Sequence, residues 1–152
     1  MLTRPSLAPL SLLAALTLFT SSCSDSSGPQ RDMIAISGTY FAHPGDGSAG
    51  FPTRVGTFTI TENGVTTDLL ATGALIGVIL DASGTTDGRL LIPDEIDTRL
   101  PGLWTLQGNV VRLSHEADTF LRDMEFRARD GRLEGEAVFD GVTVRVVLER
   151  SG

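Results

Sequence analysis

The chain has 152 residues, including 12 Arg, no Lys and 19 Asp or Glu, which gives a formal net charge of −7. The length suits one domain, and the acidity argues against a nucleic-acid partner, because phosphate binding requires a basic surface. The single cysteine excludes an internal disulfide, so the fold must be stable without cross-links.

The N-terminus is divided into three zones. Residues 1–4 carry one positive charge, residues 5–19 are rich in Leu and Ala, and residues 20–22 are small and polar. This is the layout of a secretory signal peptide. The apolar run of 15 residues is shorter than the roughly 20 that a membrane-spanning helix requires. We therefore expect an exported chain without a permanent span.

The only cysteine, Cys23, directly follows these small residues. The stretch from Thr20 to Cys23 resembles a bacterial lipobox, with Thr20 at the position that is usually Leu. The resemblance implies that the signal peptide, residues 1–22, is removed and that Cys23 is acylated, which would anchor the protein to a membrane. The alternative is an ordinary signal peptide that is cut near an incidental cysteine.

A short tether is expected after Cys23. Residues 24–31 are small and polar, so residues 23–32 are predicted to be an acylated Cys and a flexible linker, with the folded domain over 33–152. Asp does not follow Cys23 directly, which by resemblance to known lipoproteins favours the outer membrane. Removal of residues 1–22 leaves 11 Arg and 19 acidic residues, a net charge of −8.

The remaining sequence is typical of an all-β protein. Short runs of Val, Ile, Leu, Thr and Phe are separated by turn signals such as Asn63-Gly64, Asp130-Gly131 and Asp140-Gly141, which tolerate the positive φ of tight hairpins. Eight strands are predicted, near residues 34–42, 55–62, 74–81, 88–92, 109–115, 118–128, 132–139 and 142–149. Trp104 is expected to begin a ninth strand or to extend a neighbouring one.

One short helix is predicted near residues 67–72, with Thr67 or Asp68 as its N-cap and Gly73 as its end. Two long segments that contain both Pro and Gly are expected to be loops at the ends of the fold: residues 42–54 and 93–102.

Hydrophobic alternation separates the two faces of the later strands. Leu133, Ala137 and Phe139 share one face, whereas Glu134 and Glu136 share the other, so one face is core and the other is solvated. The run ALIGVIL at 74–80 is instead apolar on both faces. It is expected to be covered by a neighbouring loop or to be an edge that contacts a partner.

An antiparallel up-and-down meander of about eight strands can hide its edges by closing into a barrel. Gly38-Thr39-Tyr40 followed by a long loop, ADTFLRDMEF at 117–126 and FDGVTVRVVLER at 139–150 resemble small bacterial lipocalin-like (calycin) lipoproteins. The resemblance covers residues 34–150 and implies a barrel that holds a small apolar ligand. The rival fold is an Ig-like sandwich.

The resemblance also assigns residues around the first strand. Tyr40 stands where lipocalins have Trp, and the Arg that would lie across it is either Arg145 or Arg150. Tyr40 and Trp104 are the candidate ligand-binding residues, because each combines an apolar ring with one hydrogen-bonding atom. The alternative for both is packing in the core.

Catalytic and metal sites are not predicted. His43 and His115 lack the spacing of a metal motif, and Ser48 lacks the G-x-S-x-G frame of a nucleophile elbow. We therefore expect no metal, no cofactor and no enzyme activity. The cluster of Asp118, Arg122 and Asp123 is interpreted either as a polar group within the barrel wall that orients a ligand or as a cross-strand ion pair on the outside.

Two functions remain, with a third that has little support. The first is a membrane-anchored lipocalin-like module that binds a small apolar ligand, which would require a cavity open at one end. The second is a non-enzymatic structural or interaction lipoprotein of the cell envelope with a solid barrel core. The third, a hydrolase or metal enzyme, would require His43 and His115 to converge near a carboxylate.

Overall fold

The computed structural model describes residues 27–46 and 48–152. The described helices are α1 (Ser27–Ile36), a 3₁₀ helix (Leu70–Thr72) and α2 (Phe120–Asp123). The strands in the same part of the chain are β1 (Gly38–Ala42), β2 (Thr57–Glu62), β3 (Val65–Asp68), β4 (Leu75–Leu80), β5 (Thr85–Ile92), β6 (Ile96–Arg99), β7 (Gly102–Gln107), β8 (Val110–His115), β9 (Glu125–Arg129), β10 (Arg132–Phe139) and β11 (Val142–Arg150).

The strands form a closed antiparallel barrel with eight positions around its wall. Neighbouring strands follow the order β1, β4, β5, β7, β8, β9, β10 and β11, and β11 pairs back with β1 to complete the circuit. Every one of these pairs is antiparallel. The predicted all-β, up-and-down, eight-stranded barrel is thus confirmed, and the sandwich alternative is wrong.

The three remaining strands, β2, β3 and β6, extend the sheet beyond the eight-strand circuit. β11 pairs with β1 through Glu149 and Arg150, and with β2 over residues 143–147, so β1 and β2 lie one after the other along the same neighbour. A bridge between His43 and Val55 closes the base of the loop between them. β5 likewise pairs with both β6 and β7. The wall therefore stays connected although β2, β3 and β6 are added to it.

The up-and-down course defines two ends. The lower end carries α1 and the turns at 81–84, 108–109 and 130–131, and the upper end carries the turns at 63–64, 93–95 and 140–141 together with segment 116–124. Asn63, Asp130 and Asp140 have positive φ and precede glycines that also do, as type I′ hairpin turns require.

Two predicted boundaries were wrong at segments that form helices. The strand predicted from residue 34 begins at Gly38, because residues 27–36 form α1, whose Met33 and Ile36 pack against the core. The second part of the expected tether is therefore helical. The strand predicted over 118–128 begins only at Glu125, because α2 precedes it.

Two strands were missed. β6 lies within the segment that was expected to be the loop 93–102, and β3 lies where the helix near 67–72 was expected to begin. The short helix itself is present at Leu70–Thr72, and Gly73 ends it with φ 93°. The prediction of Thr67 or Asp68 as its N-cap was wrong, because Leu69 holds that position without a side-chain cap. The Asp68 side chain, one residue earlier, accepts a 3.1 Å hydrogen bond from the Leu70 amide.

The inward residues of the barrel form one hydrophobic cluster. Leu133 is 1% exposed and Ala137 and Phe139 pack against the cluster, whereas Glu134 and Glu136 are exposed. The predicted alternation is therefore confirmed. The 74–80 run is not an edge, because β4 is paired on both sides by β1 and β5.

Candidate functional site

A hydrogen-bonded clamp closes the lower end of the barrel. Tyr40 and Arg150 are direct partners across the β1–β11 pair. The Tyr40 hydroxyl donates to the Ile36 carbonyl at 2.6 Å, and the Arg150 guanidinium donates to the carbonyls of Ala35, at 3.1 Å, and Ser37. These are carbonyls at the C-terminal end of α1, where intrahelical donors are lacking. The clamp therefore fastens α1 to the barrel.

Of the two arginines that the lipocalin resemblance suggested, Arg150 is the one that lies opposite Tyr40. The Arg145 side chain points to solvent, 60% exposed, with its Nε 3.9 Å from Glu136. Gly38 allows Arg150 to lie against β1, because a Cβ at Gly38 would be 2.6 Å from Arg150 Nε. Burial raises the pKa of Tyr40, and the positive charge of Arg150 opposes that shift.

The two candidate ligand-binding residues are both in the core. Tyr40 and Trp104 are each 2% exposed, and each has its polar atom bonded to the backbone. Trp104 Nε1 donates to the Asp81 carbonyl at 2.7 Å, at the same lower end as the clamp. Neither residue thus has a free donor to offer to a ligand in this conformation.

The upper end is closed by α2 and by the 3₁₀ helix. Leu121 is 0%, Met124 1% and Leu70 1% exposed, so all three side chains enter the barrel mouth. The Phe120 ring lies 5.7 Å from Phe58 and 6.4 Å from Phe139 between ring centroids. We call Phe120, Leu121 and Met124 the plug.

The space between the two closures is filled with side chains. An eight-stranded barrel is just wide enough either to be packed or to hold one small ligand. Phe58, Ile76, Leu90, Val111 and Phe126, which come from five different strands, are each 0% exposed to water. A cavity of ligand size beside these residues would leave part of their surface accessible. The barrel is therefore solid along this part of its interior.

Two largely apolar depressions lie on the outer wall. One, of about 550 Å³, is lined by Thr39, Val78, Ile79, Gly88 and charged residues at its margin, and an adjoining one, of about 460 Å³, is lined by Phe41, His43, Phe51, Leu75 and others. Gly77 lines both. We call this continuous surface the outer groove.

Gly77 lies where the two depressions of the outer groove meet. It pairs with Phe41 on β1 and with Arg89 on β5, and a Cβ at Gly77 would meet nothing closer than 4.0 Å. Ile79 is 49% and Phe51 68% exposed, so apolar surface flanks this point. The groove thus presents a hollow with apolar walls to solvent.

The charges beside the groove neutralise one another. Arg89 pairs with Asp97 at 2.8 Å, and Arg99 pairs with Asp87 at 2.5 Å, across β5 and β6. Although Asp46 lines the other side of the groove, the β5–β6 side carries no net charge on a chain that is acidic overall. Such a surface suits contact with an apolar, uncharged surface of a partner.

The candidate catalytic and metal residues do not converge. Within residues 27–46 and 48–152, no group of three or more His, Cys, Asp or Glu side chains is arranged to hold a metal ion. Ser48 donates to Asp46 within its own loop, so loop geometry accounts for it. His43 Nδ1 accepts a 2.9 Å hydrogen bond from the Gly45 amide.

Asp118, Arg122 and Asp123 lie on the outside of the upper end. Arg122 pairs with Asp118 at 2.6 Å, and the Asp118 side chain is 93% exposed. The interpretation as an external ion pair is confirmed, but the pair spans one turn at α2 and does not cross between strands.

Cys23 lies outside the described residues. Within the part of the chain that the structure describes, no helix is long and apolar enough to cross a membrane.

Sequence reasoning missed the plug and the outer groove. The plug had a signal, since Phe120, Leu121 and Met124 share one face at helical spacing. The groove had a weaker signal in the double-sided apolar run 74–80 with Gly77 at its centre.

No protein-family model, curated protein or solved structure matches the chain. The closed eight-stranded barrel is compatible with a lipocalin-like fold, and that likeness is one of architecture alone.

Proposed function

We propose that the protein is an exported, lipid-anchored and non-enzymatic barrel of the bacterial cell envelope, which acts by binding another envelope protein through its outer groove. The observation that carries this proposal is the filled interior, with residues of five strands at 0% exposure. A solid barrel has its outer surface available for recognition, and the outer groove is largely apolar, with its β5–β6 charges paired.

The lipid anchor is supported by the sequence Thr20-Ser21-Ser22-Cys23 and by the preceding apolar run. Acylation of Cys23 would hold the barrel close to its membrane, because α1 begins at Ser27, only four residues later. The outer membrane is favoured, since Ser24 and not Asp follows the cysteine. A Cys23→Ser variant tests the anchor: labelled fatty acid should no longer be incorporated, and a persistent label would refute the assignment.

The outer groove is tested by photo-crosslinking in the host cell. A benzophenone amino acid at Ile79, which is 49% exposed in the groove, should capture one discrete partner protein. The matched control is Val138, a β-branched residue of β10 that is 67% exposed on a different part of the wall. Capture from Val138 alone, or from neither position, would contradict the proposal.

A second candidate is the binding of a small apolar molecule in the barrel, as in lipocalins. It is favoured by the form of the upper closure: α2 has only four residues, and a single helical turn has little stability of its own. Displacement of the plug would open the apolar interior. This function requires a conformation in which Leu121 and Met124 have left the barrel mouth.

A further inference from the structure

We propose that His115 is an acid-sensitive latch that holds α2 over the upper end of the barrel and releases it when the imidazole is protonated. The proposal is independent of the partner and of the lipid anchor. It concerns the one inward-facing titratable side chain at the mouth of the described barrel.

The position of His115 places an ionisable ring inside the wall. Val111, Leu113 and His115 are the buried residues of β8, so the histidine continues the inward row toward the upper end. His115 is only 6% exposed, and its Nδ1 has no hydrogen-bond partner in the described structure. Neutral imidazole leaves one nitrogen unpaired here, whereas the cation would place a charge in this buried position.

The contact of His115 with α2 is direct. Thr119 stands at the N-cap of α2 but makes no side-chain cap there, and its hydroxyl lies 3.4 Å from His115 Nε2. Leu121, two residues after Thr119, is fully buried in the mouth. The ring therefore packs beneath the residue from which α2 begins, and displacement of the ring would remove support from the plug.

The charged groups around His115 do not provide a strong partner for a cation. α2 contributes Arg122, which disfavours the protonated ring, and Asp123, which favours it more weakly. The connecting segment contributes Glu116 and Asp118, both exposed, and Asp118 is paired with Arg122. Arg99 lines a surface depression that His115 also lines. The β7 partner of His115 is Gly102, which has no side chain to titrate.

β7 and β8 hold the backbone of His115 in place. A Cβ at Gly102 would lie 2.1 Å from the Ser114 carbonyl oxygen and 3.0 Å from the Cα and Cβ of His115. Because the strand cannot shift easily, relief of a buried charge must come from the other side of the ring. That side carries segment 116–119 and α2, which is the short element with the fewest constraints.

The sign of the pH effect follows from burial. Desolvation lowers the pKa of His115 below its ordinary value of 6.5, and the repulsion from Arg122 acts in the same direction, against the Ala117 carbonyl and Asp123. The released state thus binds more protons than the latched state as the pH falls from about 6.5 to the lowered pKa of the latched ring. Acid should therefore favour release, and neutral pH should favour the latch.

Hydrogen exchange of the full chain between pH 7.5 and 4.5 tests the latch. After correction for intrinsic rates, protection of residues 119–124 should decrease in acid, by at most about tenfold per pH unit for one proton. Protection of β10 (Arg132–Phe139) should be retained. Unchanged protection at α2, or an equal loss in β10, would overturn the proposal.

Two histidine variants separate the latch from general acid sensitivity. His43→Gln should keep the pH dependence of α2, because His43 is distant in sequence and bonded to the Gly45 amide. His115→Gln should abolish it. If His115→Gln does not fold, proton NMR of the wild-type chain remains decisive: the chain has only two histidines, and a His115 resonance that titrates at or above the ordinary histidine value of 6.5 would contradict the latch.

Discussion

Tyr40 and Arg150 lie opposite each other at the seam where the last strand meets the first, and together they bind three consecutive carbonyls at the end of α1. The seam of the barrel and the attachment of the N-terminal helix therefore depend on the same pair. Substitution of either residue therefore tests the closure of the barrel and the attachment of α1 together.

Replacement of Arg150 by Gln should destabilise the barrel. It removes charge-assisted hydrogen bonds to the Ala35 and Ser37 carbonyls. We expect the free energy of unfolding to fall by about 1–2 kcal/mol, because solvent screens the bonds of an exposed arginine. Arg145→Gln is the control and should cost less than about 0.5 kcal/mol. Urea denaturation measures both, and equal effects would argue against the clamp.

The single tyrosine should report the clamp in alkali. Burial raises the pKa of Tyr40, so the folded state retains its proton when the unfolded state has begun to lose it near pH 10. The sign of the linkage is therefore a loss of stability as the pH rises above about 10. Because Tyr40 is the only tyrosine, ultraviolet titration follows it without assignment.

Tyr40→Phe should remove this alkaline contribution and also cost about 1 kcal/mol at neutral pH, because the Ile36 carbonyl loses its donor. A Tyr40 that titrates below pH 10 in the folded protein would show that the ring is not buried as described.

The plug makes a prediction about core packing. Leu121→Ala should lower the free energy of unfolding by about 2–4 kcal/mol, because a fully buried side chain is removed from the mouth. Leu103→Ala is the matched control, since Leu103 is 58% exposed on the outer wall, and it should change stability by less than about 0.5 kcal/mol. Similar values for both variants in urea denaturation would place Leu121 outside the core.

Two glycines on adjacent strands should respond differently to alanine. A Cβ at Gly88 would lie 2.2 Å from the Gly77 carbonyl oxygen, so Gly88→Ala must displace backbone and should cost about 1–3 kcal/mol. A Cβ at Gly77 has space, so Gly77→Ala should change thermal stability little while making the outer groove shallower. A tolerated Gly88→Ala would contradict the close approach of β4 and β5.

Much of the fold could be predicted because period-two patterns and hairpin turns act locally. The alternation around Leu133 and the Asp-Gly turns at 130 and 140 define β10 and its neighbours without tertiary information. β6 could not be predicted in this way: Ile96–Arg99 is short and polar, and its alignment on β5 involves the cross-strand Arg89–Asp97 pair.

The site was harder to predict than the barrel because it depends on which side chains meet. The sequence singled out Tyr40 but left Arg145 and Arg150 open. Alternation places these two arginines on opposite faces of β11, and the register against β1 puts Arg150 opposite Tyr40. The strand predicted over 118–128 includes α2, because a helix of four residues is too short for its periodicity to stand out, and Leu121 and Met124 are buried only once they enter the barrel mouth.

Native mass spectrometry of the protein, extracted gently from its host membrane, tests the central claim most directly. A solid, lipid-anchored barrel predicts the mass of residues 23–152 plus the acyl modification at Cys23, with no further bound small molecule. The mass of an unmodified chain would contradict the anchor, and a stoichiometric small-molecule adduct that persists under gentle conditions would contradict the filled interior.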